Sequence, residues 1–187
     1  MTLKSKLIVL AIVGAVLASG AYLYVARPVA APSATPGNAQ PETPIAKNFT
    51  RYRIESVSTL ATFTLDELLR GKPKTVIGET HDVSGDILLD MAAPSNTRVE
   101  EVRVNARTLK TDSSARDGAI SRLILRSEQA ENEFIVFKPT AFQGLPDRIV
   151  PGTSFEFGVT GELTIAGVTK PADFRGSASI DASGRLV

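Results

Sequence analysis

The chain has 187 residues, with 21 Lys and Arg balanced by 20 Asp and Glu, one His and no Cys. So even a balance leaves no electrostatic footprint for nucleic acid, and with no Trp and 6% aromatic residues there are few platforms on which bases could stack. The lack of Cys excludes disulfides, thiolate metal sites and cysteine nucleophiles, and the length, less an N-terminal segment, suits one folded domain of about 100–200 residues.

Residues 7–25 form an uncharged apolar run close to the ~20 residues that cross a bilayer core, and Lys4 and Lys6 precede it. Residues 1–27 are therefore predicted to be an N-terminal membrane anchor, a transmembrane helix with Tyr22 and Tyr24 at its outer interface. The positive-inside rule then places the rest of the chain outside the cytoplasmic membrane. The alternative is a signal peptide cleaved near Ala18-Ser19-Gly20, which would leave a secreted or periplasmic protein. Residues 28–48 are rich in Pro, Ala, Ser and Thr and show no periodicity. They are predicted to form an extended tether that holds a folded head clear of the lipid headgroups.

The head, residues 49–187, is dominated by alternation with period two, the mark of strands with one dry face. Strands are predicted over 49–54 and 59–68, the second with Phe63 and Leu65 on its apolar side. Gly71 and Pro73 punctuate a loop over 69–74. Residues 75–80 and 83–90 read as one bent strand or two, with Ile87 and Leu89 sharing a face. In the strand over 98–108, Val102 and Val104 point one way while Arg103 and Asn105 point the other. Asp112 or Ser114 is placed to cap a short helix over 115–127, with Ile120, Leu123 and Ile124 on one face. A strand over 134–142 follows. Residues 153–180 then form the longest pattern, a predicted antiparallel hairpin. Phe155, Phe157, Val159, Leu163 and Ile165 are on its first dry face, and Phe174 is on the second. Many short strands, one short helix and Gly/Pro turns predict an all-β antiparallel barrel or sandwich.

Little in the chain carries chemistry. His81 lies beside Glu79 and Asp82, but strand alternation lets at most Glu79 converge with it, too few ligands for zinc. There is no nucleophile elbow, no Gly-rich phosphate loop and no carboxylate pair that the sequence forces together. No enzyme activity, metal or cofactor is called for. Asp112 and Arg116, four apart at a helix start, read either as an ion pair or as a polar lip that holds a ligand headgroup.

Several segments resemble the YceI-like family. They are residues 52–63, the strand end at 105–112, Arg116-Asp117, residues 134–140, and above all the block Gly161-Glu-Leu-Thr-Ile-Ala-Gly-Val-Thr-Lys170. The resemblance spans residue 49 to the C-terminus. It implies an extended antiparallel lipocalin-like β-barrel, typically bacterial and exported, that binds polyisoprenoid lipids such as quinones or their precursors. It also implies further strands beyond Val187, so the barrel domain is expected to be C-terminally truncated here. A barrel of about eight strands has room for one slim apolar ligand. The expected lining is Phe63, Leu65, Ile87, Leu89, Val102, Val104, Phe155, Phe157, Val159, Leu163, Ile165 and Phe174. The expected partners are an isoprenoid or quinone-like lipid and, through the N-terminal helix, the membrane. The other reading of the same pattern is a structural or adhesive β-module whose apolar faces pack into a solid core and whose partner is a protein.

Overall fold

Eight antiparallel strands build two sheets in a computed structural model of the chain, which describes residues 19–24, 27–33, 48–69 and 71–187. They are β1 (Thr50–Arg53), β2 (Ala61–Leu69), β3 (Lys72–Thr80), β4 (Val83–Leu89), β5 (Arg98–Asn105), β6 (Phe134–Gln143), β7 (Phe155–Ile165) and β8 (Val168–Ala178). Six form one sheet in the order β1-β4-β5-β6-β7-β8, and β2-β3 is a separate hairpin. The hairpin is tied to the rest by a bridge between Glu79 and Lys110, whose N–H groups donate to each other's carbonyls at 2.8 and 2.9 Å.

The expected closed barrel is therefore corrected to an open one. Closure requires each strand to have a neighbour on both sides. Among the described residues no ladder joins β8, or the outer edge of β1, to the β2-β3 hairpin. The chain after β8 does not supply the missing neighbour. It turns at Asp181–Gly184 and folds back on itself, so that Ser179 and Val187 exchange hydrogen bonds at 2.8 and 2.9 Å.

The long hairpin forms as its alternation demands. Eleven cross-strand pairs run from Phe155 opposite Ala178 to Ile165 opposite Val168. Its two-residue turn, Ala166-Gly167, has φ of 49° and 78°, the left-handed pair whose twist matches that of the flanking strands. The loop predicted over 69–74 is shorter than expected, because β3 already begins at Lys72 and accommodates Pro73 opposite Leu68.

The helix runs over Ser114–Ala119 (α1) and continues as a wider π-helical turn over Ile120–Ile124, sealed by Leu125 N–H donating to Ile120 O at 2.8 Å. Neither Asp112 nor Ser114 caps it. Instead Asp117 Oδ1 accepts from Thr111 N–H at 2.8 Å and Thr111 Oγ1 at 2.7 Å. The wider turn also shifts the buried face from the one expected. Ile120 and Arg122 are buried, while Leu123 and Ile124 are exposed.

A small dry core closes one end of the sheet. Leu89, Ile149 and Ile180 are each 4% exposed or less, and Tyr52, Ile87, Met91, Phe155 and Leu186 pack against them. Asp90 shapes the turn beside it. It accepts from Asn48 Nδ2 at 2.6 Å and from the N–H groups of Ala92 and Ala93, both at 3.1 Å. The Asn48 hydrogen bond, opposed by burial and aided by the backbone donors, holds the Asp90 carboxyl below the ordinary carboxylate range. A depressed carboxylate adds stability above its unfolded pKa and loses it as pH falls through the folded one. Asp90→Asn is expected to be less stable than wild type at neutral pH, with the gap narrowing below about pH 4. Thermal melts across an acidic pH series measure this, and a constant gap would show that the charge is not what matters.

The predicted membrane span falls mostly outside the described residues. Of residues 7–25, those described (19–24) form a short helix, and among the described residues no helix is long and apolar enough to cross a membrane.

Candidate functional site

A cleft of about 510 Å³ opens between the inner face of the six-stranded sheet and the start of β2. The sheet's alternation determines which side chains face it. From β7 come Phe157, Val159, Leu163 and Ile165, from β5 Val102 and Val104, from β4 Ile87, from β8 Phe174 and from β2 Phe63. These nine of the twelve expected lining residues are brought together. The other three are not. Leu89 and Phe155 belong to the end core, and Leu65 lies farther along β2, opposite Val76.

The alternation also missed lining residues, and two of these misses have one physical cause. Gly85 pairs with Val102 while Ile87 pairs with Val99, so β5 carries one residue more than β4 across that step. This bulge returns Val99 to the cleft face although its parity differs from that of Val102. A second bulge between Pro139 and Ala141 does the same for Phe142, which joins Ile135, Phe137 and Pro139 from β6. Leu109 and Ala61 complete the apolar wall. Sixteen of the seventeen lining residues are apolar, Thr62 being the exception, and none is titratable.

Three phenylalanines of the cleft wall pack over glycines. Phe63 lies opposite Gly78 on β3, and a Cβ on Gly78 would fall 2.2 Å from its ring. Phe157 covers Gly176 in the same way, with a Cβ there 3.2 Å away, and the Phe137 ring lies 2.7 Å from where a Gly161 Cβ would be. Each ring therefore occupies the space that a side chain on its glycine would fill, an arrangement that also shields the glycine from water. Phe137 further meets Phe174 edge to face, with centroids 4.8 Å apart.

The expected polar lip lies elsewhere. Arg116 Nη2 is 2.7 Å from Glu67 Oε1, its Nη1 bonds Asp112 Oδ1, and Lys74 Nζ reaches Asp112 Oδ2 at 2.7 Å. This four-charge network clamps the start of α1 to the β2-β3 hairpin, and neither Asp112 nor Arg116 lines the cleft. The Lys74 hydrogen bond, with the Arg116 charge, holds the Asp112 carboxyl below its usual range. His81 is exposed, its Nδ1 2.6 Å from Thr59 O. Among the described residues no group of three or more His, Asp and Glu could hold a metal ion.

A second polar cluster was not anticipated. Arg27 and residues 28–33, the latter predicted to be part of an extended tether, lie against the head. Buried Arg122 donates from Nη2 to the carbonyls of Arg27 and Pro28, the latter at 3.0 Å, and from Nε to Glu128 Oε1 at 2.8 Å. Arg107 donates to Ala31 O at 3.1 Å and pairs with buried Glu133 at 2.9 Å. Glu133 in turn accepts from Ser33 N–H at 2.7 Å and from Ser33 Oγ. Burial disfavours the Glu133 charge, yet the Ser33 hydrogen bonds, Arg107 and Asn105 together hold its carboxyl below the usual glutamate range. The sequence signal was weak, because a Pro/Ala-rich stretch docks through its backbone, which composition does not reveal.

A family model described as the YceI-like domain matches residues 52–186. Among solved structures, one similar to this chain is the crystal structure of a mutant CJ YCEI protein with a monobromobimane guest. It shares 19% sequence identity with a TM-score of 0.45, over 58% of this chain and 60% of that one. The chain thus spans about three fifths of that protein's length. No curated protein matches it. With the family model covering most of its length, the chain belongs to the YceI-like family.

Proposed function

We propose that this YceI-like protein holds the hydrocarbon part of a long apolar lipid, of the isoprenoid or quinone-like kind that its family binds, in the cleft between β2 and the six-stranded sheet. The observation that carries this reading is the cleft itself. It has about 510 Å³ of unfilled space with an almost wholly apolar wall, within the ~300–1,000 Å³ of small-molecule sites. A structural module with a solid core would fill such a space with its own side chains. Here three phenylalanine rings of the wall pack over glycines and the space between them stays open. With no titratable group in the wall, recognition rests on removing apolar surface from water, roughly 25 cal/mol per Å², without directional contacts. In this reading the apolar run over residues 7–25 holds the protein at the outer side of the cytoplasmic membrane, or serves as the signal that exports it.

The test is lipid extraction and mass spectrometry of protein purified from its host, paired with uptake of a fluorescent isoprenoid by wild type and Val102→Glu. A carboxylate on the cleft wall must either be desolvated or keep water in the cleft. Uptake is therefore expected to fall at least about tenfold, with the fold retained, because the cleft is open to solvent. Folded wild-type protein that neither carries nor takes up a lipid defeats the proposal, as does a glutamate variant that binds as well as wild type.

A further inference from the structure

We propose that the helical end of the domain, the exposed pair Leu123 and Ile124 with the docked segment 27–33 beside it, is a face that rests on an anionic lipid bilayer. The argument starts from the π-helical turn. Leu123 and Ile124 are 61% and 60% exposed, adjacent in sequence, and held outward by a turn that buries Ile120 and Arg122 instead. Two large aliphatic side chains side by side make a small apolar patch, which marks an interaction face where it is continuous with further apolar surface. The path of the chain indicates which partner.

Arg122, the residue just before this pair, grips the carbonyls of Arg27 and Pro28, and its guanidinium lies 5.8 Å from the centroid of the Tyr24 ring. The preceding residues Tyr22, Leu23 and Tyr24 are themselves exposed, and they end the apolar run that begins at residue 7. The described end of that run, residues 22–24, thus lies at the same end of the domain as the exposed aliphatic pair. Two independently placed apolar features meet there, joined by a buried arginine. The surrounding charge has the sign that anionic headgroups require. Arg27, Lys110 and Arg126 are exposed around the patch. Of the nearby acids, Glu128 is paired with Arg122 and Asp117 is buried against Thr111, while Glu131 and Glu79, which bridges Lys110 through the backbone, are exposed. Tyr, Leu and Ile beside Arg and Lys is the composition of an interfacial binding face.

This orientation would bring the cleft to the lipid. Leu109, in its wall, lies two residues from Arg107, which holds the docked segment. Ile165, at the end of β7, precedes Ala166, whose carbonyl accepts from Arg126 at 2.8 Å. The inference rests on the docked segment and the exposed pair, and it stands or falls independently of what fills the cleft.

The chain has no Cys, so single cysteines give clean probes. In the full chain, Leu123→Cys, Ile124→Cys and, at the opposite end, Thr153→Cys are each labelled with an environment-sensitive fluorophore. The labelled proteins are mixed with vesicles of phosphatidylcholine and phosphatidylglycerol, with and without a lipid-embedded quencher. A blue shift and quenching at 123 and 124, with neither at 153, is the expected result. No shift at 123 and 124 on vesicle-bound protein overturns the proposal, and leaves a protein partner as the occupant of the pair. Equal shifts at all three positions also overturn it, because they would mean that no particular face meets the membrane. Isoprenoid uptake measured on the same variants in detergent-free solution reports on the cleft alone, so failure of the lipid-binding reading is distinguishable from failure of this one.

Discussion

Replacing Gly161 by valine is expected to cost about 3 kcal/mol of stability, near the upper end of overpacking penalties. Gly161 is buried in the middle of β7, opposite Pro139 and Ala172. A Cβ there would fall 2.4 Å from the carbonyl oxygen of Lys138 and 2.7 Å from two atoms of the Phe137 ring. The ring can tilt, but the carbonyl belongs to the β6 backbone and moves only if the β6-β7 ladder opens. Two other glycines calibrate the effect. Gly176→Ala meets only the Phe157 ring, at 3.2 Å, and is expected to cost well under half as much. Gly152→Ala has open space but a φ of +82°, so its cost is backbone strain of about 1 kcal/mol. Urea denaturation of the three variants gives the order directly. If Gly161→Val were no worse than Gly176→Ala, the close approach of backbone and ring would not be a packing constraint. The Phe137 ring, pushed off its glycine, should also intrude on the cleft, so whatever folded protein remains is expected to take up less lipid.

The second large effect is expected at Glu133. Removing one partner of a buried ion pair leaves the other charge without compensation, a loss of about 3–5 kcal/mol. Glu133→Ala should lie at the lower end of that range. Arg107 would keep its hydrogen bonds to the carbonyls of Ala31, Ser127 and Glu128, at 3.1, 2.6 and 3.3 Å. A second readout separates this loss from general destabilisation. Glu133 binds both the N–H and the hydroxyl of Ser33, so the docked segment should be released before the domain unfolds. Elastase cleavage within Val29-Ala30-Ala31 is expected to accelerate under conditions where the head remains folded by circular dichroism. Glu133→Gln, which keeps an acceptor for Ser33 but not the charge for Arg107, should fall between alanine and wild type. Unchanged proteolysis in the alanine variant would show that the segment is held by other contacts.

These two positions mark how unevenly the sequence discloses the fold. Period-two patterns located every strand to within a few residues, and nine of twelve expected lining residues do converge on the cleft. The errors fall where a local rule is interrupted by something its window does not contain. Val99 and Phe142 escaped because a single extra residue in β5 and in β6 reverses parity, and nothing in the composition of either strand announces a bulge. Leu89 and Phe155 have the right parity but lie at the end of the sheet, where Ile149 and Ile180 cover them. Leu123 and Ile124 were expected on the buried face with Ile120 because an ordinary helical period was assumed, and the π-helical turn faces them outward instead. The docked segment was read as a tether because Pro and Ala carry no long-range signal, whereas the groups that hold it are main-chain carbonyls and one serine.

The sequence by itself determined the strand content, the long β7-β8 hairpin and membership of the YceI-like family. Each of these is a local property, set by alternation, by turn residues or by an ordered motif. Tertiary structure decided the rest. It showed that the strands form an open sheet facing a hairpin and not a closed ring, that phenylalanines of the cleft wall pack over glycines across the ladder, and that Arg107, Arg122 and Glu133 gather the N-terminal segment onto the helical end. The physical reason is the same in each case. Closure, cleft width and buried charge all depend on which residues distant in sequence become neighbours, and alternation along one strand says which face is dry but not what will cover it.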